Sequence, residues 1–151
     1  MVVKILSSST EETQQLADIF ARCLINGAIF TKARPVIISL EGQLGSGKTE
    51  FIKGFASALG VSEKVLSPTF LIMKKFNIKA GPYTTLYHLD CYRIKNSKEI
   101  LSLDYKEIIK DRKAIILIEW GNLIKDILSK DHLKISFKAK SHKNRLLTFK
   151  I

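Results

Sequence analysis

The sequence predicts an α/β fold with three layers, in which helices cover both faces of a mixed, mainly parallel central sheet that also carries antiparallel hairpins. Residues 35–40 and 114–118 are apolar almost throughout, as expected of strands buried on both faces. A helical pattern follows the first of these strands, and strands alternating with helices are typical of parallel sheets. Short turn sequences between other strand candidates indicate hairpins.

A single domain spanning residues 1–151 is expected, because domains usually hold about 100–200 residues. Hydrophobic residues make up 46% and charged residues 26%, which favours a folded chain over a disordered one. No apolar run approaches the roughly 20 residues that cross a bilayer, and the first residues lack a signal-peptide core. The expected location is therefore the cytoplasm, with Cys23 and Cys91 both reduced.

Basic residues outnumber acidic ones, with 25 Lys and Arg against 14 Asp and Glu and a net charge of +11. This balance favours an acidic partner, which could be a nucleotide, a nucleic acid, a membrane surface or an acidic protein. A basic tail has no adjacent acid, so a role in binding nucleotide phosphate, RNA or an acidic surface stays open beside that of a solvated hairpin. Its residues are Lys134, Lys138, Lys140, His142, Lys143 and Arg145.

The first half of the chain predicts two strand–helix pairs. Residues 2–6 are expected to form an edge strand, and Ser9 or Thr10 to cap a helix that Gly27 ends. A strand over 35–40 leads through a glycine-rich loop into a second helix over 51–59, which Gly60 ends. The apolar residues that define the buried face of the first helix are Leu16, Ile19, Phe20, Cys23 and Leu24.

The second half predicts a hairpin, short helices and a final pair of strands. Residues 70–76 and 84–89 are expected to pair around a turn at 79–82, and 98–110 to form one or two short helices. A buried strand over 114–118 ends at Glu119, and a short helix follows over 123–128. Strands over 132–139 and 146–151 flank the basic turn.

The glycine-rich loop carries the strongest chemical signal. Its sequence from Gly42 to Thr49 fits the phosphate-loop pattern G-x-x-x-x-G-K-[ST] and lies between a buried strand and a helix. Glycines allow successive backbone amides to turn toward an anion, and the helix N-terminus adds positive charge. The pattern predicts a P-loop NTPase-like fold that binds ATP and Mg²⁺ through Gly42, Leu44, Gly45, Ser46, Gly47, Lys48, Thr49 and Glu50.

Two acidic residues end apolar strands downstream of this loop. Asp90 follows residues 85–89 and Glu119 follows residues 114–118. A phosphate loop needs an acid for its metal ion at the end of a neighbouring strand. One acid is expected to hold Mg²⁺ and the other to orient the attacking water, and the sequence leaves open which acid does which.

Three further features lie near these acids in the sequence. Arg93 either stabilises charge on the γ-phosphate or pairs with Asp90. Trp120 stacks on a base, faces a partner protein or packs in the core. The turn at residues 67–69, Ser-Pro-Thr, is either a rigid turn or a switch segment near the γ-phosphate.

The order of four motifs resembles that of the bacterial TsaE family, also called YjeE. These motifs are Gly-Gln-Leu-Gly-Ser-Gly-Lys-Thr at 42–49, Ser-Pro-Thr-Phe at 67–70, His-Leu-Asp-Cys-Tyr-Arg at 88–93 and Glu-Trp at 119–120. The resemblance covers essentially the whole chain. It departs from the family pattern at Cys91, where an apolar residue is usual, and at Gly121, where proline often stands.

The resemblance implies a small ATPase needed for N6-threonylcarbamoyladenosine (t6A) at position 37 of tRNAs that read ANN codons. It implies work with a TsaD–TsaB complex that ATP hydrolysis resets, with tRNA reached indirectly through that complex and no membrane or DNA partner. Lys48 then contacts phosphates, Thr49 and Glu119 bind Mg²⁺, and Asp90 is a second essential acid. Trp120 lies near the nucleotide, which Thr10 and Arg145 flank.

Two other functions stay open on the residues alone. The first is a small phosphotransferase such as a nucleoside kinase, a class that typically needs a lid with several arginines, whereas this chain has only five arginines. The second is a non-catalytic module whose binding to a partner depends on nucleotide. Phosphate release, phosphorylated nucleoside and ATP-dependent capture of a partner are the readouts that distinguish the three functions.

Overall fold

The computed structural model describes residues 1–29, 35–68 and 71–151. The helices are α1 (Thr10–Ile25), α2 (Lys48–Ala58), α3 (Lys98–Leu101) and α4 (Tyr105–Ile108), with a 3₁₀ helix at Gly121–Ile124. The strands are β1 (Val2–Ser7), β2 (Val36–Glu41), β3 (Met73–Ala80), β4 (Tyr83–Asp90), β5 (Ala114–Glu119), β6 (Leu133–Ala139) and β7 (Arg145–Lys150).

Within the described ranges, all seven strands form one sheet in the order β1-β7-β6-β2-β5-β4-β3. The four strands β6, β2, β5 and β4 pair in parallel, whereas β3 and the β7–β1 pair attach in antiparallel fashion at the two ends. Five of the seven strands, β1 included, therefore run in one direction. The predicted α/β class with a mixed sheet is confirmed, as are the edge position of β1 and both hairpins.

Helices α1 and α2 cover one face of the sheet and enclose the larger core. A group of phenylalanines joins them to β6 and β7, and the Phe20 and Phe149 ring centroids are 5.3 Å apart. The predicted cap of α1 is confirmed, because the Ser9 hydroxyl accepts a hydrogen bond from the Glu12 amide at 3.1 Å. Gly27 follows the helix with a φ of 75°, the left-handed conformation expected where a helix ends.

The short helices α3 and α4 and the 3₁₀ helix pack on the opposite face, over β2, β4 and β5. Their core contains Cys91, which has no exposed surface. Burial, assisted by the negative charges of Asp90 and Glu119, raises the pKa of the Cys91 thiol to about 12. The thiol therefore stays protonated at neutral pH, in agreement with its expected structural role.

The structure differs from the sequence-based prediction at three elements. Strand β3 begins at Met73 rather than residue 70, because Ile72 adopts a left-handed φ of 62° that interrupts extended geometry. Ile19 of α1 is 57% exposed, since it lies beside the apolar stripe rather than within it. The helix expected over 123–128 is a 3₁₀ turn at Gly121–Ile124, where the chain turns tightly against β2. Residues 69 and 70 of the Ser-Pro-Thr-Phe motif lie outside the described residues.

Gly54 allows α1 and α2 to approach closely, which leads to a stability prediction. A Cβ atom at this position would lie 2.3 Å from the carbonyl oxygen of Gln14 in α1. Gly54→Ala is therefore expected to lower the free energy of unfolding by about 1–3 kcal/mol, despite the better helix propensity of alanine. Urea denaturation measures the change, with Ser57→Ala, an exposed position on the same helix, as a control expected within about 0.5 kcal/mol. An alanine variant as stable as the parent would contradict the close approach.

Candidate functional site

The candidate site lies where three parallel strands end at the same edge of the sheet. Strand β2 runs into the glycine-rich loop, β4 ends at Asp90 and β5 ends at Glu119. In the strand register Glu119 is opposite Leu40 on one side and Asp90 on the other. The carboxyl ends of parallel strands are the usual ligand-binding edge of an open α/β sheet. The two acids predicted from separate strands are therefore neighbours.

The loop at residues 42–47 depends on three glycines with left-handed backbones. The φ angles are 155° at Gly42, 74° at Gly45 and 101° at Gly47, which immediately precedes α2. A Cβ atom on Gly42 would lie 2.6 Å from the carbonyl oxygen of Phe137 in β6. Side chains other than glycine rarely adopt these angles, and such loops turn backbone amides toward an anion.

The Lys48 ammonium lies inside this loop and is only 4% exposed as a residue. Its Nζ atom donates to the carbonyl oxygens of Gly42 at 2.7 Å and Gln43 at 2.9 Å. The same atom lies 4.2 Å from the centroid of the Trp120 ring. Burial lowers the pKa of Lys48, whereas the carboxylates of Glu119 and Asp90 act in the opposite direction. The site thus keeps a buried cation between loop oxygens and two acids.

Glu119 is 3% exposed and shares its carboxylate between two neighbours. The Thr49 hydroxyl donates to Glu119 Oε2 at 3.0 Å, and His88 Nε2 lies 2.9 Å from Oε1. A threonine hydroxyl beside a carboxylate is a hard-oxygen donor set of the kind Mg²⁺ prefers. The residues present therefore fit the metal predicted from the sequence.

Asp90 is held by the segment that precedes β3 and by the backbone that follows β4. Its carboxylate accepts hydrogen bonds from the Ser67 hydroxyl and, at 3.0 Å, from the Tyr92 amide. Ser67 belongs to the motif expected to act as a rigid turn or a switch. The contact links that segment to an acid at the site.

Two adjoining cavities surround the loop. The larger, of about 630 Å³, contains most of the predicted site residues: Leu44, Gly45, Ser46, Gly47, Lys48, Thr49, Glu50, Asp90, Glu119 and Trp120. The second, of about 500 Å³, lies between the start of α1 and the basic β6–β7 turn, where Thr10 and Arg145 are. Both cavities include Gly45, Gly47 and Glu50. Gly42 lines neither cavity; it contributes to the loop through its carbonyl group, which accepts from Lys48, and through its backbone conformation.

A family model described as "Threonylcarbamoyl adenosine biosynthesis protein TsaE" matches residues 7–147 of the chain. The chain belongs to the TsaE family. A TsaE protein of Bacillus subtilis is 39% identical over 139 residues, covering 92% of this chain and 79% of the relative. A TsaE protein of Treponema pallidum is 28% identical over 146 residues, covering 97% of this chain and 98% of the relative. Both are named tRNA threonylcarbamoyladenosine biosynthesis proteins.

A solved structure agrees with this assignment. The crystal structure of Bacillus subtilis YdiB superposes with a TM-score of 0.73 at 31% identity, over 99% of this chain and 84% of the other. TsaE-family membership connects this chain to the biosynthesis of threonylcarbamoyladenosine in tRNA. None of the helices in the described ranges has the length and apolar character that a membrane crossing requires.

Several predicted residues of this TsaE-family chain have structural contacts that narrow their roles. Desolvation opposes ionisation of Glu50, yet hydrogen bonds from Lys53 and Gln14 outweigh it and lower its pKa. The Arg145 guanidinium donates to the carbonyl oxygens of Ser141 and His142, each at 3.1 Å, and so holds the basic turn together. The Glu50 carboxylate and the Arg145 guanidinium are thus already engaged within the protein.

The Trp120 side chain lies within the larger cavity, in contact with other site residues. Its ring centroid is 5.1 Å from that of Tyr92, and Lys48 approaches its face. Its backbone has a left-handed φ of 60°, which directs the chain into the 3₁₀ turn after β5. Arg93 lines the same cavity. Trp120 is also half-buried and packs against the core on the face of α3 and α4, so it lines the cavity and contributes to packing, as one of the interpretations expected.

Sequence reasoning assigned no role to His88, although the residue lies within a quoted motif. Residues two apart on a strand face the same side, so His88 and Asp90 project from β4 toward the site together. His88 has no exposed surface; its Nε2 atom contacts Glu119, and its Nδ1 atom has no hydrogen-bond partner among the described residues. The two-residue spacing between His88 and Asp90 was the sequence signal that could have placed His88 at the site. Because an ionised carboxylate only accepts, Nε2 of His88 donates to Glu119.

We expect His88 to orient Glu119 for metal binding. Loss of a group that hydrogen-bonds a metal ligand typically weakens metal affinity about 10–100-fold. His88→Asn, which is too short to reach Glu119, should therefore weaken the Mg²⁺-dependent part of ATP binding about tenfold or more. His88→Gln, whose amide can take the place of Nε2, should retain most of that part. Calorimetric titrations of ATP with and without Mg²⁺ separate the Mg²⁺-dependent part of the affinity from the rest. An equal loss of the Mg²⁺-dependent part in both variants would contradict the role of His88 in orienting Glu119.

Proposed function

We propose that this chain binds and hydrolyses ATP with Mg²⁺ and thereby supports t6A formation through a TsaD–TsaB complex. One arrangement carries the proposal: the Lys48 ammonium lies inside a glycine loop, and next to Lys48 in the chain the Thr49 hydroxyl is 3.0 Å from Glu119 Oε2. Glycine loop, cation and hydroxyl–carboxylate pair together are the parts that phosphoryl transfer from a nucleoside triphosphate requires.

The loop would bind the triphosphate through backbone amides, the helix N-terminus and the Lys48 ammonium. Backbone amides of residues 43–48 and the N-terminus of α2 attract the phosphate oxygens. Lys48, which now donates to loop carbonyls, would exchange those partners for the more strongly charged β- and γ-phosphate oxygens. Because Lys48 is buried, that interaction is little weakened by solvent.

Thr49 and Glu119 would hold Mg²⁺ together with the phosphates. Among residues 1–29, 35–68 and 71–151 no group of three or more His, Cys, Asp or Glu side chains could hold a metal ion alone. Mg²⁺ usually takes one or two protein oxygens and completes its shell with phosphates and water, so this sparse donor set suits it. The bound ion would neutralise charge on the β- and γ-phosphate oxygens.

Asp90 is suited to orient the attacking water. The water oxygen bonds to the γ-phosphorus while the bond from phosphorus to the β–γ bridging oxygen breaks, which yields ADP and phosphate. An acid held by Ser67 and the Tyr92 amide can accept a hydrogen bond from that water. The second cavity, between Thr10 and Arg145, offers room for the nucleoside.

A nucleoside kinase is the weaker alternative on this geometry. Of the described arginines, only Arg93 and Arg145 line the two cavities, and the Arg145 guanidinium is bound to turn carbonyls. Two arginines, one of them already bound, provide little positive charge for a lid that closes over ATP and an acceptor nucleoside. A non-catalytic module would capture its partner in an ATP-dependent way even with both Asp90 and Glu119 neutralised.

The deciding experiment combines calorimetry with product analysis. We expect MgATP binding at sub-millimolar concentration, slow phosphate release by the chain alone and an altered rate when the TsaD–TsaB complex is added. Labelled ATP should yield free phosphate; a labelled nucleoside product would establish the kinase instead. Absence of adenine nucleotide binding at millimolar ligand with Mg²⁺ present would overturn the proposal.

A further inference from the structure

The sheet face of β1, β7 and β6 that points away from α1 is open to solvent and carries four lysines, two hydroxyl residues and three apolar residues. On these strands the residues that face α1 are buried, as Ile135, Phe137, Leu147 and Phe149 illustrate. The intervening side chains of the three strands are all exposed or half-buried. Successive residues of a strand point to opposite faces, so these side chains share one surface.

Strand register arranges this surface as three rows. Across β1, β7 and β6 the rows read Val2–Lys150–Lys134, Lys4–Thr148–Ser136 and Leu6–Leu146–Lys138. Neighbouring positions lie about 5 Å apart across strands and about 7 Å apart along them. Four ammonium groups and two hydroxyls therefore occupy a surface of nine positions, which we call the lysine face.

Most of this charge is unopposed. Lys134 pairs with Glu41 at the end of β2. Lys4, Lys138 and Lys150 form no ion pair with any residue of the described ranges. Strand β6 leads from this face into the basic turn beside the second cavity. The positive surface thus extends from the sheet to the rim of the nucleotide-sized cavities.

We propose that the lysine face binds the sugar–phosphate backbone of folded RNA. Lysine ammonium groups and Ser or Thr hydroxyls are the usual contacts to phosphates and 2′-hydroxyls, and they need no base-specific geometry. A protein interface of this size normally has an aromatic or apolar centre. Here the central row is Lys4, Thr148 and Ser136, and the nine positions include no aromatic residue. The apolar side chains of Val2, Leu6 and Leu146 lie in the two outer rows, so binding to lipid vesicles is an outcome that the test must distinguish.

The RNA available to this chain follows from its family, which acts in tRNA modification. Direct contact with tRNA would hold the chain on the substrate of the pathway, in addition to any link through a protein complex. The inference rests on family membership and on the lysine face, and it does not depend on ATP hydrolysis.

The test is binding of a fluorescently labelled tRNA transcript, measured by anisotropy at several salt concentrations. The triple variant Lys4→Gln, Lys138→Gln, Lys150→Gln should bind at least tenfold more weakly than the parent chain. Its plot of log affinity against log salt should lose about 2–3 units of slope, because each of the three lost phosphate contacts removes about 0.7–0.9. Its phosphate release should stay unchanged, since none of the three residues lines the loop cavities.

The matched control is Lys98→Gln, Lys106→Gln, Lys113→Gln, which removes the same charge from exposed positions on and near α3 and α4. It should change tRNA affinity less than threefold, and thermal melting verifies that both variants fold. The inference is overturned if the parent chain fails to bind tRNA at 100 mM salt or if the control loses as much affinity. Tighter binding of polyglutamate or of phosphatidylserine vesicles than of tRNA would overturn it too. A chain that binds tRNA without hydrolysing ATP would retain this inference and remove the proposed ATPase.

Discussion

Lys48→Ala is expected to lower phosphate release by about 10²–10³-fold, the loss typical when one preorganised donor to a developing charge is removed. The ammonium is the positive side chain inside the glycine loop, with hydrogen bonds of 2.7 and 2.9 Å to loop carbonyls. Backbone amides would remain, so weak nucleotide binding should persist while hydrolysis is nearly lost. Calorimetry measures the nucleotide binding, and a phosphate-release assay measures the hydrolysis.

Lys53→Ala is the matched control for this prediction. Lys53 lies on the same helix, α2, but is half-buried and pairs with Glu50 at 2.6 Å outside the loop. It should keep hydrolysis within about threefold of the parent, whereas Lys48→Met provides a second substitution that preserves side-chain bulk. Unchanged hydrolysis in folded Lys48→Ala and Lys48→Met proteins would refute the assignment of the site.

Glu119→Gln is expected to reduce Mg²⁺-dependent hydrolysis by about 100-fold or more. The amide keeps the size of the side chain and an acceptor for Thr49, but it removes the negative charge that a divalent ion needs. ATP binding measured without Mg²⁺ should be retained or become tighter, because a negative charge near the phosphates is lost. The measurements are a magnesium titration of the hydrolysis rate and calorimetry in chelator.

Asp90→Asn separates the roles of the two acids. If Glu119 holds the metal ion and Asp90 orients water, the Asp90 variant should lose hydrolysis while the Mg²⁺-dependent increment in ATP affinity survives. Glu107→Gln, an exposed substitution on α4, controls for charge removal and should leave both quantities unchanged. The reverse pattern, with metal dependence lost only in Asp90→Asn, would exchange the two assignments.

Local patterns in the sequence were sufficient for most elements of the fold. A continuous apolar run predicts a buried strand because both faces of a central strand are covered, as in β2 and β5. The position and conformation of the glycine loop were equally predictable, since the pattern is a fixed spacing within eight consecutive residues. The prediction was wrong at the start of β3, where the left-handed backbone of Ile72 is a conformation that its β-branched side chain disfavours.

Tertiary structure decided which distant residues share the site. Asp90 and Glu119 become neighbours because β4 pairs directly with β5, and strand order depends on long-range packing that no local pattern encodes. The same pairing brings His88 to Glu119 and so reveals a contact that spacing alone could only suggest. Arg145 reaches the second cavity because β6 pairs with β2 and the basic turn follows β6.

The sequence by itself determined the α/β class, the position of the glycine loop, the candidate acids at two strand ends and the resemblance to the TsaE family. Each of these depends on residue type and short-range spacing, which backbone geometry translates directly into structure. Only the tertiary structure decided the pairing of Thr49 with Glu119 and the alignment of lysines across β1, β7 and β6. These depend on strand order and register, because a register shift of one residue would turn every side chain of a strand to the opposite face.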